Sequence, residues 1–263
     1  MENLLWRTAR DFPAHHGFST RKGGVSEGPL ASLNLGRSVG DAPERVEENL
    51  RRACAAARLD VEDLHTVSQV HGAALHEVTA RLRGQGRRPP RPEADALHTA
   101  EPGAALAIQV ADCVPILMAD PEGRRVAAVH SGWRGTLAEI AARAVEALAG
   151  EGSRPGGLRV AIGPSIRVCC YVVGRDLADR FRERFGPEVV VEEGGQPHLD
   201  LVRAIRGTLR RVGVPEGAVE VLPDCTSCEP ALYYSHRRDG GITGRHLAFV
   251  ACSFPGGPGR PVS

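Results

Sequence analysis

The sequence predicts an α+β fold built on mixed sheets. Strand-like and helix-like segments alternate irregularly along the 263 residues. At least two segments have the form of hairpins, which excludes a purely parallel sheet. One is a pair of apolar, β-capable runs, 116–119 and 125–129, around the turn sequence Asp120-Pro121-Glu122-Gly123. The other pairs 232–236 with 242–251 about Asp239-Gly240. There is no repeat of about 20–50 residues and no linker long enough to divide the chain. The expected organisation is therefore a single catalytic domain over residues 1–254 and a disordered Gly/Pro-rich tail over 255–263.

The remaining elements follow in order. Residues 43–59 place Val46, Leu50, Ala53, Cys54 and Ala57 on one stripe, which predicts a helix with Asp41 as its cap. Residues 65–70 and 74–78 read as short strands broken at His71-Gly72, and 83–92 as a polar, proline-rich loop. A buried strand is expected at 104–110, ahead of the first hairpin. A second helix is expected over 136–149, with Leu137, Ile140, Ala141, Ala144, Val145 and Leu148 inward. Beyond it come a strand at 158–162, helices at 176–184 and 199–212, and a strand at 219–222.

Composition excludes several classes. With 42% hydrophobic residues, 25% charged and a net charge of +1, nothing drives the chain toward nucleic acid or an anionic membrane. Lys22 is the single lysine, a bias that fits GC-rich coding better than an arginine-rich recognition surface. No signal peptide is visible, and no run approaches the ~20 apolar residues of a membrane helix. Seven cysteines, an odd number in a chain of this size, point to a reduced, cytoplasmic protein.

Three polar residues stand next to turn or glycine sequences at strand ends: His71 in QVHG, Cys113 in ADCVP and His130 in VHSGWRG. A two-residue loop at Pro121-Glu122 would set Cys113 directly opposite His130, with Cβ atoms about 4.5–5.5 Å apart. Such a pair can share a metal ion or act as nucleophile and base. Two histidines and a cysteine make a catalytic zinc set with one position left open. The turn Ser131-Gly132-Trp133-Arg134-Gly135 leads into a helix whose first N–H groups could hold an anion, helped by Arg134 or Arg21. Structural roles are expected for the other candidates. Cys225-Thr226-Ser227-Cys228 is a CxxC without a second pair for zinc, and Cys169-Cys170 reads as packing. His15-His16 reads as loop surface.

Distributed motifs then give a family resemblance over nearly the whole chain. FSTRKGGVSEGPLASLNLG (18–36), VGD (39–41), QVHG, ADCVPILMAD, AAVHSGWRGT, AIGPSI and SHRRDGGITGRH follow one another as in the multicopper polyphenol oxidase, or laccase-domain, family, whose members are described as purine nucleoside phosphorylases. The resemblance implies a zinc site at His71, Cys113 and His130, with copper as an alternative metal. It also implies a layered α/β/β/α fold similar to the catalytic domain of cytotoxic necrotizing factor toxins. It implies phosphorolysis of purine nucleosides (adenosine, inosine, guanosine, methylthioadenosine) with adenosine deamination as a second activity. Arg21 is then a candidate for phosphate and Asn34 for the sugar, in a monomer or homodimer. Two positions depart from the family pattern: Tyr171-Val172-Val173-Gly174 lacks the acidic residue of YEVG, and His236 replaces a tyrosine. Laccase chemistry fits poorly, because a multicopper oxidase needs many clustered histidines and this chain has no His-x-His pair. The alternative enzyme class is a Cys–His hydrolase or deamidase acting on a small molecule or cell-wall precursor, with Cys113 attacking and His130 as base.

Overall fold

A computed structural model describes residues 5–82 and 90–253. Most of the loop expected at 83–92 and the tail expected at 255–263 lie outside the described residues. The elements run β1 (Trp6–Arg7), β2 (His15–Ser19), α1 (Pro43–Ala56), β3 (Leu64–Thr66), β4 (Leu75–Glu77), β5 (Ala96–Thr99), β6 (Ala105–Val110), β7 (Val114–Ala119), β8 (Val126–Ser131), α2 (Trp133–Leu137), α3 (Ile140–Gly150), β9 (Arg159–Ile162), α4 (Arg175–Phe185), β10 (Val190–Glu193), β11 (Gln196–Leu199), α5 (Leu201–Arg211), β12 (Val219–Val221) and β13 (His246–Ala251).

Two mixed sheets carry the fold, in strand orders β1-β2-β13-β6-β3 and β12-β9-β7-β8-β5-β4. Among the described residues, the parallel strand pairs lie toward the sheet edges, β3 with β6, β4 with β5 and β9 with β12. The strict two-residue period of a strand divides its side chains between two cores. On β7 and β8, Val114, Ile116, Met118, Ala127 and Val129 pack under α3, α4 and α5. Leu117, Ala119, Val126 and Ala128 face the other way, against Leu106, Ile108, Ala248 and Val250 of the opposing sheet. The far side of that sheet is covered by α1 through Ala53, Cys54 and Ala57 against Leu247 and Phe249. The layers are thus helix, sheet, sheet, helix, and the α+β expectation with mixed sheets holds.

Several local expectations are corrected. The first hairpin has a four-residue loop, 121–124. Gly123 sits at φ 65° and donates to the Asp120 carbonyl, while the Asp120 carboxylate accepts from the Arg124 N–H. The register therefore pairs Pro115 with His130 and Val114 with Ser131, two residues away from the expected one. The helix expected over 136–149 is broken at Glu139, which adopts φ 54° and bridges Arg184 and Arg211 at 2.5 Å each. Asp41 does not cap α1: the cap position is Ala42, and Asp41 instead accepts from Ser26 and Asn34. Residues 232–236 are turn and irregular chain, not a strand: the Tyr234 N–H donates to His246 Nε2 and its hydroxyl to the Leu30 carbonyl, with Tyr233 and Tyr234 both fully buried. The β10–β11 hairpin, turning at Gly194-Gly195 with φ 57° and 77°, was not expected.

Candidate metal centre

Cys113 lies one residue before β7 and His130 near the end of β8. A register error of two residues leaves every side chain on its original face, so both still point to the inter-sheet side. Cys113 comes to face Gly132 instead of His130. A Cβ on Gly132 would stand 3.1 Å from Cys113 Sγ and 3.5 Å from His71 Cδ2, so any larger residue there would press on the cysteine by a few tenths of an ångström. His71 arrives from the loop between β3 and β4 in the left-handed conformation, φ 58°. The ligand atoms of His71, Cys113 and His130 all lie within 4.8 Å of one another. The rings of His71 and His130 meet edge to face at 4.9 Å. Burial is graded, with His130 enclosed, Cys113 half-buried and His71 exposed, so the cluster opens to solvent on one side.

Asp95, one residue before β5, holds the arrangement together and was not singled out from the sequence. It is fully buried. Its Oδ1 accepts from the His71 backbone N–H at 3.0 Å and from His130 Nδ1 at 2.8 Å; its Oδ2 accepts from the Gly72 and Val70 N–H groups at 2.6 and 3.3 Å. A carboxylate only accepts, so Nδ1 of His130 carries the proton and Nε2 is turned to Cys113. This is the carboxylate–histidine arrangement found behind metal ligands. Burial alone would raise the Asp95 carboxyl, but the bonds from His130 and the 71–72 backbone hold it below the usual carboxylate range.

The charges of the pair are reciprocal. Burial opposes ionisation of Cys113, yet the neighbouring His130 charge and hydrogen bonds from both histidines bring the thiol down to about 6. Burial likewise opposes charge on His130, but the Cys113 thiolate and Asp95 raise it to about 9. The donor set fits a zinc ion: tetrahedral coordination by thiolate and imidazole spaces donors about 3.3–3.6 Å apart.

The structure places the other expected site residues differently. Asn34 is fully buried, and its amide is spent on Gly36, Asp41 and the Arg245 backbone N–H. Arg21 donates to the carbonyls of Ala31 and Pro230 and stacks over Tyr234 at 4.5 Å. The helix whose start was expected to hold an anion is only five residues long, and Arg134 lies over the Trp133 ring at 4.4 Å. His16 belongs to the interior, accepting from the Ala9 N–H at 2.9 Å. Other charged and polar groups also stand near the cluster. Arg245 feels the charges of Cys113 and Asp112. Tyr171, whose phenol is pushed up to about 12 by burial and then by Cys113, is stacked by Arg237 at 5.0 Å. Asp112, in the left-handed region at φ 82°, anchors the Cys113 turn by accepting from Thr226, Ser235 and the Arg237 N–H.

Two mixed sheets between helical layers, with a His₂Cys donor set at the inter-sheet end of a central hairpin, define the structural class. Residues 15–253 match the profile of the family described as multi-copper polyphenol oxidoreductase laccase. The chain belongs to this family. It is 42% identical over 242 residues to the purine nucleoside phosphorylase YlmD of Geobacillus stearothermophilus, covering 89% of this chain and 88% of that protein. It is 43% identical over 235 residues to a purine nucleoside phosphorylase of Deinococcus radiodurans, with 89% and 88% covered. The crystal structure of G. stearothermophilus YlmD superposes with a TM-score of 0.89 over 97% of this chain and 98% of that one, at 41% identity. Bacillus licheniformis YfiH superposes with a TM-score of 0.84 at 35% identity, over 94% and 99% of the two chains.

Proposed function

We propose that the protein is a zinc-dependent purine nucleoside phosphorylase acting on adenosine, inosine, guanosine and methylthioadenosine, with adenosine deamination as a second activity. The observation that carries this reading is the convergence of His71, Cys113 and His130 within 4.8 Å, with His130 oriented by a buried carboxylate. Relatives at 42% and 43% identity that bear the name purine nucleoside phosphorylase support the substrate class. His71, Cys113 and His130 would hold the metal, zinc in preference to copper, and when bound it would supply Lewis-acid chemistry to a substrate oxygen or to water. Asp95 keeps the proton on His130 Nδ1, so that Nε2 remains a ligand. Arg245 and Arg237, the cations beside the cluster, suit the phosphate that attacks the ribose C1′ as the purine departs. The protonated phenol of Tyr171 can donate to the leaving base or to the sugar. A reduced cytoplasmic setting would keep Cys113 available as a ligand.

The test is metal analysis of the purified protein followed by a nucleoside panel with and without phosphate. Phosphate-dependent release of free base, lost on chelation and restored by zinc, is the expected result. Base release that ignores phosphate, or full activity in the Cys113→Ala variant, would refute it.

One observation favours a second reading. Asp95, His130 and Cys113 form a chain of acid, imidazole and thiol, with the thiol lowered to about 6. That is the constellation of a cysteine hydrolase or deamidase. Under this reading a metal-free protein would be fully active, and the chelation arm of the same experiment separates the two. Laccase-type oxidation has less support: among the described residues, the His/Cys clusters are this one and a group of four cysteines, neither of them the histidine-rich set of a trinuclear copper centre.

A further inference from the structure

The CxxC of Cys225-Thr226-Ser227-Cys228 does have a second pair. The fold brings Cys169 and Cys170 against it, and the four Sγ atoms all lie within 4.8 Å of one another. Cys228 Sγ stands 3.6 Å from Cys169 Sγ and 3.3 Å from Cys170 Sγ. These separations are too long for a disulfide, which joins sulfurs at about 2.05 Å. They fall a little short of the about 3.8 Å between sulfurs of a tetrahedral four-thiolate zinc site with 2.3 Å bonds. We propose that Cys169, Cys170, Cys225 and Cys228 form a second, structural metal site that takes a zinc ion.

Three further features fit a four-thiolate centre. The Arg167 backbone N–H donates to Cys225 Sγ at 3.4 Å, the kind of outer bond that stabilises a metal-bound thiolate. Second, Arg167 is a largely buried cation whose side-chain bonds end on the carbonyls of Asp224, Gly163 and Leu222, none of them a carboxylate. Four thiolates around a divalent ion carry a net charge of −2, which adds to the pull that Asp200 and Asp224 already exert on this guanidinium. Third, the position in the fold is that of a staple. One pair lies in the turn after β9, the other in the loop after β12. Between those segments run the isolated bridge of Ser165 with Cys225, the Thr226 N–H to Ser165 carbonyl bond and the bonds of Arg167 to Asp224, Leu222 and Cys225. Thr226 also donates to Asp112 at 2.6 Å, so the stapled loop braces the turn that carries Cys113. Binding displaces the thiol protons to solvent. All four ligands being protein sulfurs, the site has no open position and is structural.

The experiment uses full-length protein purified under reducing conditions, with zinc content measured and cobalt(II) substituted as a spectroscopic probe. The Cys113→Ala variant isolates the second site and is expected to keep one metal per chain. With cobalt it should show the strong sulfur-to-metal charge-transfer and tetrahedral visible bands of a four-sulfur site. Both should vanish when Cys228→Ser is added, and Cys228→Ser alone should retain one metal at the other centre. Because Cys169 and Cys228 are exposed, zinc-dependent protection of these thiols from alkylation in the unmutated protein gives a measure that needs no variant. A metal-free Cys113→Ala protein, equal alkylation with and without zinc, or disulfides among the four cysteines in freshly reduced protein would overturn the proposal. Apart from the metal kept by Cys228→Ser alone, which rests on the proposed function, none of these outcomes depends on whether the other centre binds metal or turns over nucleosides.

Discussion

Asp95→Asn is an isosteric change at the residue that organises the candidate metal centre. The native carboxylate is buried and accepts four bonds, two on each oxygen. An asparagine has one accepting oxygen, so its NH₂ must confront two N–H donors in either orientation. If it faces the His71 N–H and His130 Nδ1, the imidazole can relieve one conflict by moving its proton to Nε2 and accepting at Nδ1. The His71 N–H stays unpaired, and charge assistance is lost from the remaining bonds. At about 1–3 kcal/mol for a buried orphaned donor, the change should destabilise the protein by about 3 kcal/mol. The tautomer that results points an N–H, not a lone pair, at the metal position. Loss of the outer carboxylate should weaken metal binding about 10–100-fold, or about 1.4–2.7 kcal/mol. Urea unfolding of metal-free protein reads the first effect, and competition with a chromophoric chelator reads the second. The reasoning fails if metal affinity stays within about threefold of the unmutated protein while the urea midpoint also holds.

Three shorter predictions accompany it. Gly132→Ala places a methyl 3.1 Å from Cys113 Sγ on a backbone that tolerates any residue, φ −77°; it should leave stability nearly unchanged and weaken metal binding about tenfold, as measured by the same competition. Asn34→Ala should cost about 2–4 kcal/mol in urea unfolding, because it strands the Gly36 and Arg245 N–H groups, while KM for any nucleoside changes little; a large KM effect with intact stability would instead put Asn34 in contact with substrate. His16 is lowered to about 4 by burial, and its Nε2 accepts from Ala9. The unfolded chain therefore takes up this proton first, and stability rises with pH by about 1.4 kcal/mol per unit from about 4 to the ordinary histidine value near 6.5, then levels off. His16→Gln should remove that slope from urea midpoints compared across the window with the unmutated protein, and parallel curves would refute it.

What the sequence made legible depends on how local the determining contacts are. Strands β7 and β8 are unbroken apolar runs because both faces of their sheet are covered, and the flanking turn residues marked them. The β10–β11 hairpin was equally local, announced by Gly194-Gly195 at positive φ, and went unread. The break between α2 and α3 was not local. The apolar period runs straight through it, and Glu139 is held in its turn by Arg184 and Arg211, on α4 and α5. Residues 232–236 misled through β-forming tyrosines, one of which spends its hydroxyl on the Leu30 carbonyl, 204 residues away in sequence.

The candidate centre survived a wrong register for a physical reason. Strand side chains repeat every two residues, so an error of two moved Cys113 from His130 to Gly132 and left both residues on the inter-sheet face. An error of one would have sent Cys113 under the helices and dissolved the site. The residues that remained invisible are those whose role exists only after folding. Asp95 is one aspartate among many until three backbone N–H groups from 70–72 and the His130 ring converge on it. The two cysteine pairs read separately as packing and as an isolated CxxC, because the more than 50 residues between them carry no signal that β9 and β12 are parallel neighbours. That one pairing closes the cysteine cluster, sets Thr226 on Asp112 and so fixes the turn of Cys113. The chemistry of the centre therefore rests on a strand contact at the far edge of its sheet.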